Sequence, residues 1–539
     1  MAMLPSPPLR SRLKILTFAL ALALSARLGS VPLIDADEGR NAEVGREMAA
    51  SNDYVLPRLN ALPYLDKPIV YFAAEAAAME VLGPTETAAR LPAYLFTLAT
   101  ALLVFFFARR VFDADRAWIA TSIFLATPLT IAFARTVIFD SALTFFITAA
   151  TMAFYLAIET PERRWSIVAW IAIGFGILTK GPVAIVLPLF VAVPHSIRRR
   201  RFGAPWPPIG IVACAAIVAP WVWAVMQQVP DFFQYVVVTE TAARLATSEL
   251  QRTGPPWYFL PYLVGGALPW SIVLVTSWRE VRGRHGAVVY LLLWVIVPLV
   301  FFSLSQSKRP QYILPLMVPV ALLAGAIWQE ARTRIAAAVL AAFGALLLVL
   351  TYGTKLAGRL QEPEMVRPAM LSATLMGVVF LIGGALALSK RRDLALAALA
   401  IPMIALPLVG EPVQKAIALR RSSQSFARKL EPHLTPATRV IGIEAFTGSL
   451  IFYLRRPVFV ASPDGSEWTS NYILRRYERY AANPASTLKP LGWAATQAAA
   501  CCAPTVFIAR NHDADAKAML ESRGLREIAR SSRLTAYSR

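Results

Sequence analysis

The stretch AYLFTLATALLVFFFARR, residues 93–110, decides the fold class, because sixteen uncharged and mostly apolar residues run without interruption into two arginines. A helix needs about 20 such residues to cross the hydrocarbon core of a bilayer, and comparable runs recur along the chain. The chain is 57% hydrophobic and only 16% charged, whereas about a quarter of the residues of a soluble domain are charged. Backbone groups in lipid must be satisfied internally, and no alternating ten-residue pattern indicates a barrel. The sequence therefore predicts a polytopic α-helical membrane protein.

Hydropathy predicts about thirteen membrane-spanning helices. Their approximate limits are 14–34, 86–108, 116–134, 137–158, 165–180, 181–197, 208–226, 258–278, 286–305, 310–328, 334–353, 369–389 and 393–411. Segment 69–82 is too short to cross and carries Glu75 and Glu80, so we expect a helix lying at the interface. A signal peptide is the alternative interpretation of the first span, which has a basic start and a short apolar core.

Basic residues accumulate in alternate loops, as in Arg109-Arg110 and in the run from Arg198 to Arg201. The positive-inside rule makes these loops cytoplasmic, with the N-terminus inside and the C-terminus outside. Much of the net charge of +21 is therefore a topology signal. No basic stripe interleaved with stacking aromatic residues indicates nucleic-acid binding.

The composition predicts three regions. Residues 1–13 are expected to be a disordered cytoplasmic N-terminus, and 14–411 a transmembrane core that includes an outer loop at 35–85. Residues 412–539 have shorter apolar runs, which predict an α/β domain on the outer side. Its expected strands are 439–443, 458–460 and 506–509, and its expected helices are 471–482 and 513–523.

The loop DADEGRNAEVGREMAASNDYVLPRLNALPYLDKP, residues 35–68, is unusually rich in charge for a segment beside a bilayer. Its notable charged residues are Asp35, Asp37, Glu38, Arg58, Asp66 and Lys67. Charges near lipid are costly to desolvate, which favours a functional site over a purely structural loop. The four histidines, His195, His285, His433 and His512, lie outside this loop, and no HExxH or CxxC pattern is present. Carboxylates are therefore left as bases or hard-metal ligands.

Each of these loop residues also has a structural interpretation. Asp35 is expected to cap a helix that runs to about residue 50, with Glu38 placed as in a capping box. Asp37 lies in the first turn, where a carboxylate favours the helix dipole. Lys67 precedes the interfacial helix, close to where a lipid phosphate would lie. Arg58 is a second candidate for that phosphate or a snorkelling side chain.

Further charges fall on the predicted outer side, at the ends of other spans. They are Arg135, Asp140, Lys180, Lys308 and Arg309. The outer side of a membrane protein usually carries fewer Lys and Arg residues than the cytoplasmic side, so these cations favour the binding of an anion. Each of them, taken alone, could also be an ordinary loop residue. Their convergence with Asp140 predicts a polar cavity open to the outside.

These residues lie in ordered motifs that resemble a family. The motifs are DEGRNAE (37–43), PRLN (57–60), DKP (66–68), Asp140, TKGP (179–182), PWYFLPYL (256–263) and FFSLSQSKRPQYILP (301–315). In order and spacing they resemble the lipid-phosphosugar-dependent glycosyltransferases of the GT-C fold, most of all those that transfer aminoarabinose to lipid A. The protein O-mannosyltransferases are more distantly similar. The resemblance covers residues 10–350 and agrees with about thirteen spans and a C-terminal periplasmic α/β domain.

The resemblance implies inverting transfer from an undecaprenyl-phosphate sugar to lipid A or a related envelope glycolipid, at the periplasmic face of a bacterial inner membrane. It assigns the catalytic carboxylates to Asp37 and Asp140. It assigns binding of the carrier phosphate to Lys67, Arg58, Lys180, Lys308 and Arg309. Glu38, Asp66 and Arg135 are expected to support the site.

Three departures from the family pattern bear on a metal and on the sugar. Asp66 stands where Glu is usual, and no histidine precedes Trp257 in the outer loop. A metal site built from that Glu and His would be weakened or absent, and a divalent metal ion held by Asp66 with Asp37 stays an open alternative. Asn41 stands where an aromatic Tyr is usual, which bears on aminoarabinose specificity.

Two alternatives to the expected function remain. A transferase of the same type would use a protein or polysaccharide acceptor. A flippase or transporter of lipid-linked sugars should have internal repeats and broken helices at mid-membrane. The sequence has no evident repeat, and its charges cluster on one predicted face.

Overall fold

A computed structural model describes residues 9–236, 254–282, 286–353, 363–500 and 504–539. The chain divides into two compact units. The helical unit comprises Met1–Leu28, Ala93–Trp223 and Val236–Val413, and the sheet unit comprises Gly29–Pro92, Ala224–Tyr235 and Gln414–Arg539. The outer loop predicted at 35–85 thus belongs to the same compact unit as the C-terminal residues from Gln414 onward.

The first part of the chain is mostly helical. Its elements are α1 Leu9–Ser25, α2 Asp37–Ser51, β1 Arg58–Leu59, β2 Leu62–Pro63, α3 Val70–Leu82, α4 Glu86–Val111, α5 Ala114–Leu125, α6 Pro128–Ala134, α7 Asp140–Glu159, α8 Arg164–Lys180, α9 Val183–Arg198, α10 Pro208–Gln228 and α11 Phe232–Gln234. For most of the membrane spans predicted between residues 86 and 226, the predicted limits lie within a few residues of these helix bounds.

The helices continue through the second half of the helical unit and beyond it. They are α12 Phe259–Gly266, α13 Trp270–Thr276, α14 Trp278–Arg282, α15 Ala287–Leu304, a 3₁₀ helix at Pro310–Leu316, α16 Met317–Ile327, α17 Thr333–Tyr352, α18 Pro363–Ala387, α19 Arg392–Val409, α20 Glu411–Arg421 and α21 Gln424–Leu430.

Within the described residues, eight helices are long and apolar enough to cross a membrane, or up to ten if each of two bent pairs is one span. This confirms the polytopic helical class, whereas the expected count of about thirteen is not confirmed. The bent pairs are α5 with α6, at 63°, and α12 with α13, at 100°. Both were predicted as single spans. Each second helix starts at or just after a proline, Pro128 or Pro269, which lacks an N–H and disfavours helix in the preceding residue.

Helix α1 begins at Leu9, so the residues from Leu9 to Leu13 are helical and not disordered as predicted. Two ion pairs hold the first turns of α1: Arg10 pairs with Asp115, and Arg12 pairs with Asp393. Further along α1, the Thr17 Oγ1 lies 2.8 Å from the Oγ of Ser122. Helix α1 therefore packs as an integral part of the helical unit.

The C-terminal residues form the predicted α/β fold. The strands are β3 Arg439–Ile443, β4 Phe459–Ser462, β5 Leu488–Pro490, β6 Thr505–Arg510, β7 Arg526–Arg530 and β8 Leu534–Ser538. The helices among them are α22 Gly448–Leu454, α23 Asn471–Leu474, α24 Tyr477–Ala481, α25 Leu491–Ala499 and α26 Ala514–Ser522. Their six-stranded sheet has the order β5-β4-β3-β6-β8-β7.

Strands β3 to β6 are parallel, and β8 and β7 add antiparallel pairs at one edge. The three predicted strands are β3, β4 and β6, whose apolar residues are buried in the sheet. The predicted helix at 471–482 is divided into α23 and α24. Strand β7 was missed because its sequence, REIAR, is mostly charged and exposed.

Two glycines allow α2 to lie directly against α22 within the sheet unit. A Cβ atom on Gly39 would be 2.4 Å from the backbone N of Ser449, and one on Gly448 would be 2.3 Å from the backbone N of Arg40. Neither backbone atom can yield easily, so this close approach requires glycine at both positions. The contact holds the charged start of α2 against the C-terminal domain.

Candidate active site

Asp37, the first residue of α2, has a half-exposed carboxylate held by a partly buried arginine, Arg40. Its Oδ1 accepts a hydrogen bond of 2.6 Å from the Nη2 of Arg40, and the Asp37 side chain is 41% exposed. The Arg40 Nη1 also donates to the Oγ1 and the carbonyl oxygen of Thr469, at 2.7 and 3.1 Å. Asp37 is therefore both oriented and accessible, which is what a reacting carboxylate requires.

Asp35 does not cap α2 as predicted. The residue before α2 is Ala36, and it makes no side-chain capping bond. The carboxylate of Asp35 instead accepts hydrogen bonds from the backbone N and the Oγ of Ser449, at 2.9 and 2.5 Å, and from Arg533 at 3.2 Å. Burial raises the pKa of Asp35, although these donors oppose the shift. Asp35 thus stabilises the start of α22 by accepting hydrogen bonds from Ser449.

Glu38, predicted to support the site, forms a buried bidentate ion pair. Its two carboxylate oxygens accept from the Nε and Nη2 of Arg90 at 2.9 and 2.8 Å. Arg90 also donates to the carbonyl oxygen of Val31 at 2.7 Å. One Glu38 oxygen further accepts from the backbone N of Ile34 at 3.2 Å; the predicted capping box, which requires a bond to the N-cap residue, does not form. The pair fixes the segment that leads into α2.

Asp66 anchors α23. Its carboxylate accepts from the backbone N of Asn471 at 3.0 Å, from the backbone N of Tyr472 at 3.1 Å and from the hydroxyl of Tyr235 at 2.8 Å. Three donors already occupy its two oxygens, and backbone N–H groups at a helix start favour a capping role.

The predicted metal pair, Asp66 with Asp37, does not fit a divalent ion. Asp66 is occupied by hydrogen-bond donors, and the Asp37 carboxylate is engaged by Arg40. Across the ranges that the structure describes, no group of three or more His, Cys, Asp or Glu side chains could hold a metal. Calcium and magnesium sites need several convergent oxygen ligands, so we assign no step to a metal.

The other two predicted residues of the outer loop are cations of the sheet unit. The Nζ of Lys67 donates to the carbonyl oxygen of Asp66 at 2.5 Å. The Nη2 of Arg58 lies 3.7 Å from the Oδ2 of Asp53, with the Arg58 side chain 35% exposed. A pair at this distance and exposure contributes little to stability, so Arg58 is available for an anionic ligand.

The helical unit contains a buried ion pair between Asp140 and Lys180. The Nζ of Lys180 lies 2.6 Å from the Oδ1 of Asp140, and the two side chains are 15% and 3% exposed. Asp140 begins α7 and Lys180 ends α8. Two consecutive helices joined by a short connection bring those ends together. The sequence predicted both residues on the same side, and the structure brings them into direct contact.

One carboxylate oxygen of the Asp140–Lys180 pair is left without a hydrogen bond among the described residues. The Oδ2 of Asp140 is buried and has no hydrogen-bond partner in the described part of the chain. The Nζ of Lys180 also lies 5.0 Å from the centre of the Tyr312 ring, within the range of a cation–π contact. An ammonium held in this way is a preformed positive charge for an anionic group.

Lys308 and Arg135, both predicted as site cations, serve helix ends. The Nζ of Lys308 donates to the carbonyl oxygens of Ser303 and Ser305 at 2.8 and 2.5 Å, at the end of α15, and burial lowers its pKa. Arg135 donates to the carbonyl oxygens of Leu24 and Ala26, at the end of α1. Terminal helix carbonyls commonly bind such cations. Arg309 directly precedes the 3₁₀ helix.

The sequence did not identify Arg40 and Arg90 as functional residues, and it misplaced Glu75. A signal for Arg40 was its spacing from Asp37, since residues three apart on a helix are neighbours. Arg90 is a cation inside a long apolar helix, a costly position that indicates a partner. Glu75 was predicted to be interfacial, but it is fully buried, whereas Glu80 is exposed.

Glu75 makes a testable contribution to stability. Both of its carboxylate oxygens are buried without a hydrogen-bond partner among the described residues, and burial followed by repulsion from Glu38 raises its pKa well above the usual value. A raised folded-state pKa favours folding below the unfolded-state pKa, and this stabilisation is lost as the pH rises. We expect Glu75→Gln to raise the unfolding midpoint increasingly from pH 5 to pH 8, measured by thermal unfolding in detergent. Equal midpoints across that range would contradict a neutral Glu75.

Known proteins match both the sequence and the fold. A family model described as dolichyl-phosphate-mannose-protein mannosyltransferase matches residues 66–223. An undecaprenyl phosphate-alpha-4-amino-4-deoxy-L-arabinose arabinosyl transferase from Erwinia tasmaniensis is 33% identical over 59% of this chain and 61% of its own length. A relative of the same name from Yersinia enterocolitica is 29% identical over 80% of this chain and 82% of its own length. The Erwinia match thus spans about three fifths of that relative.

A solved structure extends the similarity to nearly the whole chain. ArnT from Cupriavidus metallidurans bound to undecaprenyl phosphate has a TM-score of 0.87 and 27% identity, and the match covers 97% of both chains. The chain therefore has the GT-C fold and resembles the lipid-phosphosugar-dependent glycosyltransferases, as the sequence predicted. Within that class it is similar to the undecaprenyl phosphate-aminoarabinose arabinosyl transferases.

Proposed function

We propose that the protein is an inverting glycosyltransferase that moves a sugar from an undecaprenyl-phosphate carrier to lipid A or a related envelope glycolipid. The observation that carries this proposal is the fold match, over 97% of both chains, to ArnT bound to undecaprenyl phosphate. The relatives named as aminoarabinose transferases support the same donor class.

We further propose that the reaction takes place at the periplasmic face of the bacterial inner membrane. The chain is a multi-pass membrane protein of the ArnT type, and its basic loops support a cytoplasmic N-terminus. An alkaline phosphatase fusion placed after Arg539 is expected to be active in cells, since that enzyme folds only in the periplasm. An inactive fusion, with an active cytoplasmic reporter at the same position, would reverse the proposed orientation.

The proposed chemistry is displacement at the anomeric carbon of the sugar. The bond from that carbon to the carrier phosphate breaks, the phosphate leaves with the electron pair, and an acceptor oxygen forms the new bond. Charge therefore builds on the leaving phosphate, where fixed cations stabilise the transition state. Lys180 is the cation proposed for this phosphate, and Lys67 and Arg58 stay predictions from the family resemblance.

The proposed role of Asp37 depends on the acceptor. A hydroxyl acceptor must lose a proton, and the half-exposed carboxylate of Asp37 would accept it as a general base. An acceptor that is itself an ionised phosphate has no proton to lose, and Asp37 would then orient reacting groups together with Arg40. Asp140 would hold the Lys180 ammonium in place.

An acceptor comparison tests the function. Purified protein would receive undecaprenyl phosphate carrying a radiolabelled aminoarabinose, together with lipid A, a peptide mixture or a capsular polysaccharide in separate reactions. We expect label in lipid A alone. Label in peptide would favour the acceptor in the name of the matching family model, and label in polysaccharide would favour that acceptor.

The same preparation in vesicles tests the flippase alternative. Two helix pairs are bent, and broken helices are one feature expected of a transporter. Movement of the carrier across the bilayer with its sugar still attached would contradict the proposed transferase. We expect no such movement above the rate of protein-free vesicles.

Metal removal and Asp66 substitution are expected to have separate effects. Chelation with EDTA should leave transfer unchanged, because the carboxylates of the predicted metal pair already have other partners. Asp66→Ala should instead lower the unfolding free energy by about 0.5–2 kcal/mol, the usual cost of losing a helix cap. Activity after EDTA treatment and the thermal unfolding midpoint measure the two effects. Loss of activity with EDTA, restored by a divalent ion, would contradict the metal-free assignment.

A further inference from the structure

A cavity of about 630 Å³ lies within the sheet unit, at the carboxyl ends of its parallel strands. Ala445 and Phe446 follow β3, and Arg510 to His512 end and follow β6; all of these residues line the cavity. The volume falls in the range of about 300–1,000 Å³ that is usual for small-molecule sites.

The strand order makes this position a topological switch point. The chain proceeds from β3 to β4 and β5 on one side, and then returns to place β6 on the other side of β3. Open α/β sheets bind their ligands in the crevice outside the carboxyl ends of the strands at such a point. Topology and cavity therefore indicate the same binding site, independently of any side chain.

The lining of this cavity is strongly basic. Its charged residues include the four arginines Arg40, Arg421, Arg510 and Arg533, against the two acids Asp35 and Glu467. Both acids are engaged, Asp35 by Ser449 and Arg533, and Glu467 by the Oγ of Ser462 at 2.6 Å. The cavity thus has an excess of positive charge, which favours an anionic ligand.

Two of these arginines have few partners within the described ranges. The guanidinium groups of Arg421 and Arg510 line the cavity without a salt bridge or a side-chain hydrogen bond there, and Arg510 interacts electrostatically with Glu444. Guanidinium groups present several N–H donors in a planar fork that matches the oxygens of a phosphate. A phosphate is therefore the anion that this pair of side chains fits.

The remaining lining suits a saccharide. Phe446 stacks on Trp468, with ring centres 4.5 Å apart and planes at 13°, and so supplies a rigid apolar wall. The Thr447 hydroxyl and the Asn511 amide also line the cavity, held in place by hydrogen bonds to neighbouring residues. Apolar walls with a few polar groups that fix orientation are typical of small-ligand sites.

We propose that this cavity binds a phosphate-bearing saccharide, the headgroup of the acceptor, with Arg421 and Arg510 on its phosphate. Arg40 lines the same cavity and holds the carboxylate of Asp37, which connects the site to the candidate catalytic residue. This inference deepens the proposed function and rests on it for the identification of the ligand as the acceptor.

Binding to the full-length protein in detergent, without donor, tests the cavity. The probes are glucosamine 1-phosphate, glucosamine and inorganic phosphate, measured by isothermal titration calorimetry. We expect glucosamine 1-phosphate to bind at least tenfold more tightly than either fragment. The double variant Arg421→Gln with Arg510→Gln should weaken that binding about 100-fold, since each charge-assisted bond contributes about tenfold.

Arg526→Gln is the matched control, because Arg526 is an exposed arginine on β7 of the same sheet and does not line the cavity. It should bind the probe as the unchanged protein does. Equal binding of inorganic phosphate and glucosamine 1-phosphate would reduce the cavity to an anion site and overturn the proposal. Unchanged binding by the double variant would also overturn it.

Transfer kinetics separate this inference from the proposed function. In the double variant we expect the KM for a phosphorylated glycolipid acceptor to rise at least tenfold, with the KM for the carrier sugar unchanged. An unchanged acceptor KM would overturn the acceptor assignment. If the unchanged protein transfers no sugar at all, the proposed function fails, and the calorimetry still decides whether the cavity binds a phosphosugar.

Discussion

Replacement of Lys180 by methionine is expected to abolish sugar transfer and to lower the free energy of unfolding by about 3–5 kcal/mol. Lys180 is the cation that neutralises Asp140, at 2.6 Å, and the Asp140 side chain is only 3% exposed. Methionine keeps most of the volume of the lysine but leaves the carboxylate buried without its counter-ion. The Oδ2 of Asp140 has no hydrogen-bond partner within the described ranges, so no nearby donor compensates.

The double variant Asp140→Asn with Lys180→Met separates stability from function. Removing both charges avoids the uncompensated carboxylate, so the unfolding free energy should recover most of the loss. Transfer should stay absent, because the proposed cation for the leaving phosphate is still missing. Urea unfolding and label transfer measure the two quantities. Restored transfer in the double variant would show that Lys180 acts only through stability.

Asp37→Asn is expected to lower kcat by about 10²–10⁴-fold if the acceptor is a hydroxyl, the usual range for loss of a general base. The substitution preserves shape and removes the charge. The Asp37 side chain is 41% exposed, so its ion pair with Arg40 should contribute no more than about 1 kcal/mol to stability. The variant should therefore fold normally, with an unchanged thermal unfolding midpoint.

The matched control for this variant is Asp515→Asn. Asp515 is also an exposed carboxylate in the first turn of a helix, α26, and it is remote in sequence from the outer loop. Its substitution should leave kcat unchanged. If both variants lose activity equally, the effect reflects general surface charge and not a role of Asp37. If Asp37→Asn keeps full activity, Asp37 is not a catalytic residue.

The fold was largely predictable because local composition determines most of it. Apolar runs of sufficient length define the long helices, and the buried strands β3, β4 and β6 have continuous apolar sequences. The expected proximity of Asp140 and Lys180 followed from counting spans, and their ion pair agrees with it. The breaks at Pro128 and Pro269 were missed, because hydropathy does not register the loss of a backbone donor.

The individual roles of the charged loop residues were less predictable, because their partners lie far away in the sequence. Asp35 contacts Ser449 and Arg533, which are 414 and 498 residues distant. Asp66 binds the backbone of Asn471 and Tyr472 in a helix 405 residues later. A local pattern favours a local cap for each carboxylate, and only the tertiary fold identifies these distant donors.

The stoichiometry of carrier release tests the central claim most directly. Purified protein would be incubated with doubly labelled undecaprenyl-phosphate aminoarabinose and lipid A, with separate labels on the sugar and on the phosphate. We predict one free undecaprenyl phosphate for each sugar that appears in lipid A. With Asp37→Asn both products should form about 10²–10⁴-fold more slowly if the acceptor is a hydroxyl. Sugar and phosphate labels that remain together on the carrier, under conditions in which the protein is folded and both lipids are bound, would contradict the proposed glycosyl transfer.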